Sequence, residues 1–241
     1  MNNGIHQYRN VSEVNKALAE WLVKDIQQVL LQNDKYTIAL SGGSTPKSFY
    51  ELLAKEYADK IDWLKVHVFF DDERYVPFTD ERNNAAMVYR ALLQHVKIPA
   101  YQVHNMQTNT SPTESAKSYE AILHQYFDGR RHTFDLVLLG MGDDGHTLSL
   151  FPGTAVVNEQ TKWVSEVLLN AAGNYRITLT APVVNLADKV IFLVTGQGKA
   201  QTLQKVIQGP PNQFPSQLIK PASKNLLWFI DDAAAMNLQN G

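Results

Sequence analysis

The chain has 241 residues, a formal net charge of −2 and 44% hydrophobic residues, which fits one large α/β domain or two small ones and lacks the basic excess of a nucleic-acid-binding protein. It contains no Cys, which excludes disulfides, thiolate-held zinc and a thiol nucleophile. The first nine residues carry no apolar signal core and no apolar run reaches membrane-spanning length, so a cytoplasmic protein that avoids membranes is expected.

Apolar residues at Val11, Val14, Leu18, Trp21, Leu22, Ile26, Val29 and Leu30 recur at helical spacing and predict a helix over 11–31, with Ser12 available as its cap. Tyr36-Thr-Ile-Ala-Leu40 reads as a short strand, and Ser41-Gly-Gly-Ser-Thr-Pro46 as the turn out of it. Ser44 or Thr45 can cap the next helix, Pro46 suits its first turn, and the helix runs to about 57. Residues 66–70 form a second strand that ends in four charges, Asp71-Asp-Glu-Arg74, and a helix follows over 84–95. Residues 101–105 give a further strand. Ser111-Pro-Thr-Glu114 then brings a cap, a first-turn proline and a capping-box glutamate into register for a helix to 127. Phe134-Asp-Leu-Val-Leu-Leu139 reads as a buried strand. Later apolar runs cover 163–169, 176–179, 189–195 and 226–230, helices are expected at 199–207 and after 231, and Gly209-Pro-Pro-Asn212 is a loop. No repeat, low-complexity tract or linker interrupts this order, so residues 1–241 read as one domain. Strands alternating with helices predict an α/β fold with a doubly wound, mainly parallel sheet.

Gly140-Met-Gly-Asp-Asp-Gly-His-Thr147 directly follows the strand at 134–139, so it delivers His146 to the carboxyl end of that strand, where open α/β sheets bind ligands. A His there is a candidate for proton transfer, as against a His that merely caps a short helix. Asp144, or less well by spacing Asp143, can orient its ring. The stretch matches G-x-G-x-x-G, with Glu159 near the spacing of a ribose-binding acid. Two carboxylates facing a pyrophosphate, and Pro152-Gly153 too close for a crossover helix, argue against a dinucleotide site.

Ser41, Gly42, Gly43, Ser44 and Thr45 sit between a strand and a helix start, which makes them an anion cradle or, more simply, a tight turn. The segment lacks the Gly-Lys ending of a nucleotide P-loop and the final Gly of a nucleophile elbow. Asp71-Asp-Glu-Arg74 taken alone reads as a solvated turn, yet Arg74 can fork donors onto a phosphate or carbonyl. Lys199, at another strand-to-helix junction, can offer a point charge to phosphate or stay solvated. Arg176 adds a cation or is a strand-edge residue. The remaining histidines show no metal-ligand spacing, and no metal site is expected.

These motifs together resemble the 6-phosphogluconolactonase family, within the larger group that includes glucosamine-6-phosphate deaminase. The resemblance rests on Leu40-Ser-Gly-Gly-Ser-Thr-Pro46, Asp72-Glu-Arg-Tyr-Val-Pro77, the segment 135–147, Ser149-Leu-Phe-Pro-Gly153, Arg176-Ile-Thr-Leu-Thr180, Val194-Thr-Gly-Gln-Gly-Lys-Ala200 and Leu227-Trp-Phe-Ile-Asp231. It implies a modified Rossmann fold like that of the sugar-phosphate isomerases and deaminases. It also implies hydrolysis of 6-phospho-D-glucono-1,5-lactone to 6-phospho-D-gluconate in the pentose phosphate pathway, without metal or organic cofactor. The expected partner is the phosphosugar lactone alone, bound by a monomer or weak homo-oligomer. The resemblance makes His146 the general base and gives phosphate binding to residues 41–45 and Lys199. Arg176, Gly142 and Asp143 complete the expected binding set. Arg74 contacts either the phosphate or the lactone carbonyl, and Gly140–Gly145 backbone donors are the other candidates for the oxyanion. The chain departs from the family at Leu148, where Ala is common, and at Lys224, where Gly is frequent. The deaminases carry a Glu five residues beyond the His and typically Tyr at the Arg74 position. Here the first of these is Phe151, which cannot shuttle protons between carbons. An amino-sugar-phosphate isomerase or deaminase and a non-catalytic sugar-phosphate-binding protein are the alternatives.

Overall fold

Seven strands make one parallel sheet because each is short and separated from the next by a crossover, and the five inner ones are largely apolar on both faces. The computed structural model describes residues 4–171 and 173–239. Its strands are β1 (Ile5–Tyr8), β2 (Tyr36–Leu40), β3 (Val66–Phe70), β4 (Asp72–Arg74), β5 (Val103–His104), β6 (Leu136–Leu139), β7 (Val164–Leu168), β8 (Tyr175–Leu179), β9 (Lys189–Val194) and β10 (Leu226–Asp231). The helices are α1 (Val11–Leu30), α2 (Ser44–Leu52), α3 (Asn84–Ala91), α4 (Pro112–Phe127), α5 (Ala181–Asn185), α6 (Ala200–Gln208) and α7 (Asp232–Ala235). The large sheet runs β1-β10-β9-β6-β2-β3-β5, and all its pairings are parallel.

Alternation along the strands divides the core in two. Ile38, Leu40, Val68, Phe70, Leu138 and Leu193 pack against α1, α2 and α3. Ala39, Phe69, Val137, Leu139, Phe192 and Val194 face the other way, onto α4, α5, α6 and a second sheet. Each fully buried large apolar side chain among these contributes roughly 1.5–3 kcal/mol. The doubly wound, mainly parallel α/β sheet read from the sequence is therefore present.

The second sheet, β4-β8-β7, is antiparallel and has no counterpart in the sequence reading. Only residues 169–174 separate β7 from β8, too few for a crossover, so those two strands pair as a hairpin. The solvated-turn reading of 71–74 is overturned: Asp71 and Glu73 are buried, and Asp72–Arg74 form an edge strand against β8. Each buried carboxylate has backbone or side-chain donors. Arg176 lies within β8, the central strand, which replaces its strand-edge reading. Asp71 joins the two sheets, donating its N–H to the Leu40 carbonyl and accepting from the Leu179 N–H.

Local details also differ. Asn10, not Ser12, caps α1, its side chain accepting from the Glu13 N–H. Neither Ser44 nor Thr45 caps α2, because Gly43 takes the cap position at φ 104° and both hydroxyl residues fall inside the first turn. The capping box of Ser111 and Glu114 forms as expected. Strand β1 escaped the sequence reading since Ile5-His-Gln-Tyr8 is an edge strand with mixed polarity. Lys224 adopts φ 64°, a left-handed backbone conformation that favours glycine.

Candidate active site

The chain order reverses between β6 and β2: β3 and β5 extend the sheet from β2, whereas β9, β10 and β1 extend it from β6. A crevice at such a switch point lies outside the carboxyl ends of the strands. Three neighbouring strands, β9, β6 and β2, deliver residues 195–199, 140–147 and 41–45 to this edge. They enclose a cleft of about 240 Å³ lined by Ser41, Gly42, Gly43, Ser44, Thr45, Gly142, His146 and Lys199 from these loops, with Arg74 and Arg176 from the second sheet. The volume suits one small polar molecule.

His146 stands at the centre. Its Nδ1 lies 2.5 Å from Asp144 Oδ1, and its backbone N–H donates to the same oxygen at 3.1 Å. Asp144, not Asp143, is therefore the carboxylate in contact with the ring, and it does not line the cleft. Burial pushes the Asp144 carboxyl up, but the ring and backbone donors of His146 outweigh it and hold the group below its usual value. Gly142 makes the contact possible, since a Cβ there would fall 2.1 Å from His146 Nδ1 and 2.7 Å from Asp144 Oδ1. The Phe151 ring sits 4.2 Å from the imidazole, centroid to centroid. Leu148, also in the cleft wall, holds φ 57°.

Residues 41–45 face this ring from the end of β2. With Gly43 at the cap position and no side-chain cap, the Ser44 and Thr45 N–H groups have no partner among the described residues. They point the positive end of α2 at the cleft. Thr45 Oγ1 rests 3.3 Å from Thr195 Oγ1. Gly42 is packed so closely that a Cβ would overlap the Asn84 amide at 2.0 Å.

Lys199 Nζ donates to Asp143 Oδ1 at 2.6 Å. The Asp143 side chain, expected among the binding residues, is 82% exposed and lies outside the cleft lining. A carboxylate beside an anion cradle is repelled, whereas beside Lys199 it is paired.

Arg74 and Arg176 are direct register partners in the β4–β8 pair. Arg74 Nη1 donates to the Arg82 carbonyl at 2.7 Å, and its Nε has no partner. Burial pulls the Arg176 guanidinium down, and the neighbouring Arg74 charge adds to this while Asp72 opposes it. Asp72 is fixed by Asn84 Nδ2 at 2.7 Å and Ser149 Oγ at 2.5 Å. Glu73 accepts the N–H groups of Arg74, Asn84 and Ala85 at 2.7, 2.7 and 2.8 Å, which anchors the first turn of α3. Asn84, Asp72 and Thr195 therefore belong to the cleft wall although sequence reasoning did not select them. Asp72 and Thr195 offered only a position after a strand, and Asn84 only a helix start, signals shared by many inert residues. Among the described residues no group of three or more His, Asp or Glu side chains is arranged to hold a metal ion, and no helix is long and apolar enough to cross a membrane.

A sequence profile described as glucosamine-6-phosphate isomerases/6-phosphogluconolactonase matches residues 9–228. The chain belongs to this family. It is 40% identical to a 6-phosphogluconolactonase of Nostoc sp. over 223 residues, covering 90% of each chain. It is 39% identical to the 6-phosphogluconolactonase of Synechocystis sp., covering 89% of each. Among solved structures, a 6-phosphogluconolactonase from Trypanosoma cruzi superposes with a TM-score of 0.86 at 28% identity, over 98% of this chain and 97% of that one. A monomeric glucosamine-6-phosphate deaminase shares the fold, with a TM-score of 0.83 at 18% identity over 97% of this chain and 99% of that one.

Proposed function

We propose that the protein hydrolyses 6-phospho-D-glucono-1,5-lactone to 6-phospho-D-gluconate. The observation that carries this reading is the shared cleft: a carboxylate-oriented His and an uncapped helix start with a lysine beside it face the same small space. The relatives named 6-phosphogluconolactonase support the choice of substrate.

In this reading the α2 start and Lys199 take the 6-phosphate. Asp143 gives up Lys199 as the phosphate arrives. The bound phosphate places C1 of the lactone near His146, so water attack becomes effectively intramolecular. Asp144 keeps a proton on Nδ1, which leaves Nε2 to accept the proton of the attacking water. The water oxygen bonds to C1 and the carbonyl electrons move onto its oxygen. The guanidinium groups of Arg74 and Arg176 stabilise that charge. When the intermediate collapses, the C1–ring oxygen bond breaks and the His146 imidazolium returns its proton to the departing oxygen. A lactone is already activated, so a general base, proximity and oxyanion donors suffice without a metal.

Phe151 separates this reading from the deaminase one. It puts an apolar ring against His146 where a second proton shuttle is needed for carbon-to-carbon transfer. The test is incubation with freshly prepared 6-phosphogluconolactone, following acid release above the spontaneous rate, with glucosamine 6-phosphate in parallel. Acceleration with the lactone alone is expected. Turnover of the amino sugar, or tight 6-phosphogluconate binding with no acceleration, contradicts it.

A further inference from the structure

The His146 loop closes on itself through the side chains of Asp144 and Thr147 and through two backbone hydrogen bonds. Gly142 donates to the His146 carbonyl at 2.8 Å and Gly145 to the Gly142 carbonyl at 3.1 Å. The carbonyls of Asp143 and Gly145, which bracket Asp144, turn outward instead. Each meets a hydroxyl from a distant segment. Thr202 Oγ1, in α6, donates to the Asp143 carbonyl at 2.7 Å. Ser216 donates to the Gly145 carbonyl twice, through its Oγ at 2.8 Å and its N–H at 3.0 Å. Ser216 is buried, Thr202 is half-buried, and neither lines the cleft.

The support extends further back. Gly145 has φ 75°, and Phe214 fills the space beside it so closely that a Cβ would come within 2.4 Å of the ring. The segment carrying Phe214 and Ser216 is itself held by Gln217. The Gln217 side chain accepts from the Gln213 and Phe214 N–H groups at 2.7 and 3.1 Å, and donates to the Pro210 carbonyl at 2.9 Å. The loop at 209–218 carries no group into the cleft and instead forms the rigid back wall of the His146 loop.

We propose that Thr202 and Ser216 are positioning residues for His146, holding the two carbonyls either side of Asp144 so that the carboxylate stays on the imidazole. A glycine-flanked loop released from these anchors can rotate and carry the ring by an ångström. A misplacement of that size costs about a hundredfold in rate. This inference rests on His146 being the general base.

The experiment compares Thr202→Val, Ser216→Ala and their combination with Thr202→Ser, which keeps the hydroxyl. Steady-state kinetics use fresh 6-phosphogluconolactone, and the thermal midpoint of each variant is recorded. The His146 Nδ1–H signal is followed by nitrogen-edited NMR. The double variant is expected to lose about tenfold to a hundredfold in kcat with KM within about twofold, and to lose the Nδ1–H signal to solvent exchange. Thr202→Ser is expected to stay within about twofold of the parent in kcat, as a conserved donor requires. If the double variant does not fold, Thr202→Val decides alone, since that side chain is half-buried and its loss leaves the core intact. An unchanged kcat and NMR signal, a rise in KM alone, or a Thr202→Ser defect equal to that of Thr202→Val overturns the proposal. His146→Ala is run beside them. Inactive His146→Ala with a fully active double variant removes only the positioning role, whereas active His146→Ala removes the general-base reading itself.

Discussion

Gly142→Ala deletes no chemical group and yet should disable the His146–Asp144 pair. The added Cβ would lie 2.1 Å from His146 Nδ1, 2.2 Å from Cε1 and 2.7 Å from Asp144 Oδ1, well inside van der Waals contact. Gly142 is not among the positive-φ glycines, so the backbone accepts alanine and the strain falls on the ring. The His146 side chain is 27% exposed, which gives the ring room to swing toward solvent. That movement costs one charge-assisted hydrogen bond, about 1.5–3 kcal/mol, or a thermal midpoint lower by roughly 4–10 °C for a protein of this size. It also carries Nε2 an ångström or more from the attacking water, so kcat should fall about a hundredfold. The cradle at 41–45 is untouched, so KM should stay within about threefold, since binding and chemistry are lost separately when only transition-state contacts go. The assay is initial-rate hydrolysis of fresh 6-phosphogluconolactone, corrected for spontaneous opening, with calorimetry on the same sample. Gly142→Ala that turns over at the parent's rate would refute the argument that this pair is used. So would a variant changed in KM alone.

Lys199→Ala should raise KM for the phosphorylated lactone about tenfold to a hundredfold, the worth of one charge-assisted contact. It should leave the slow hydrolysis of unphosphorylated gluconolactone unchanged; equal effects on both substrates would exclude a phosphate contact. Glu73 supplies a pH test. Burial pushes its carboxyl from the ordinary 4.5 up to about 7, against the backbone donors that pull it down. A folded value above the unfolded one means that its stabilisation is complete below pH 4.5 and is lost as pH rises through 7, by roughly 3 kcal/mol. Urea unfolding of Glu73→Gln should therefore show less decline than the parent across this window, and parallel curves would contradict the linkage.

The sheet was legible where both faces of a strand are buried. Ile38, Leu40, Val68, Leu138 and Leu193 make runs that nothing else explains, and the Ser111 capping box fixes the start of α4 locally. The edge strand β1 carries no such pattern and was missed, while β5 keeps only two residues of the strand expected over 101–105. The meeting of His146, residues 41–45 and Lys199 in one cleft was legible because each follows a strand at a glycine-marked junction. The charged run 71–74 was misread because its partners are remote: Ser149 reaches Asp72 across 77 residues. Ser216 reaches Gly145 across 71 residues. Side chains that act by holding a distant backbone leave no spacing in the sequence, so Asn84, Thr202 and Ser216 emerged only from the fold. The choice between Asp143 and Asp144 was likewise geometric, since adjacent carboxylates differ only in which cation each can reach.

The most direct measurement is turnover of fresh 6-phosphogluconolactone by His146→Ala, with 6-phosphogluconate affinity measured by calorimetry on the same preparation. Loss of about two to four decades in kcat, the range of a missing general base, with product affinity within about threefold of the parent, is the expected result. Turnover within a few-fold of the parent would show that the imidazole at the centre of this cleft does not move the proton.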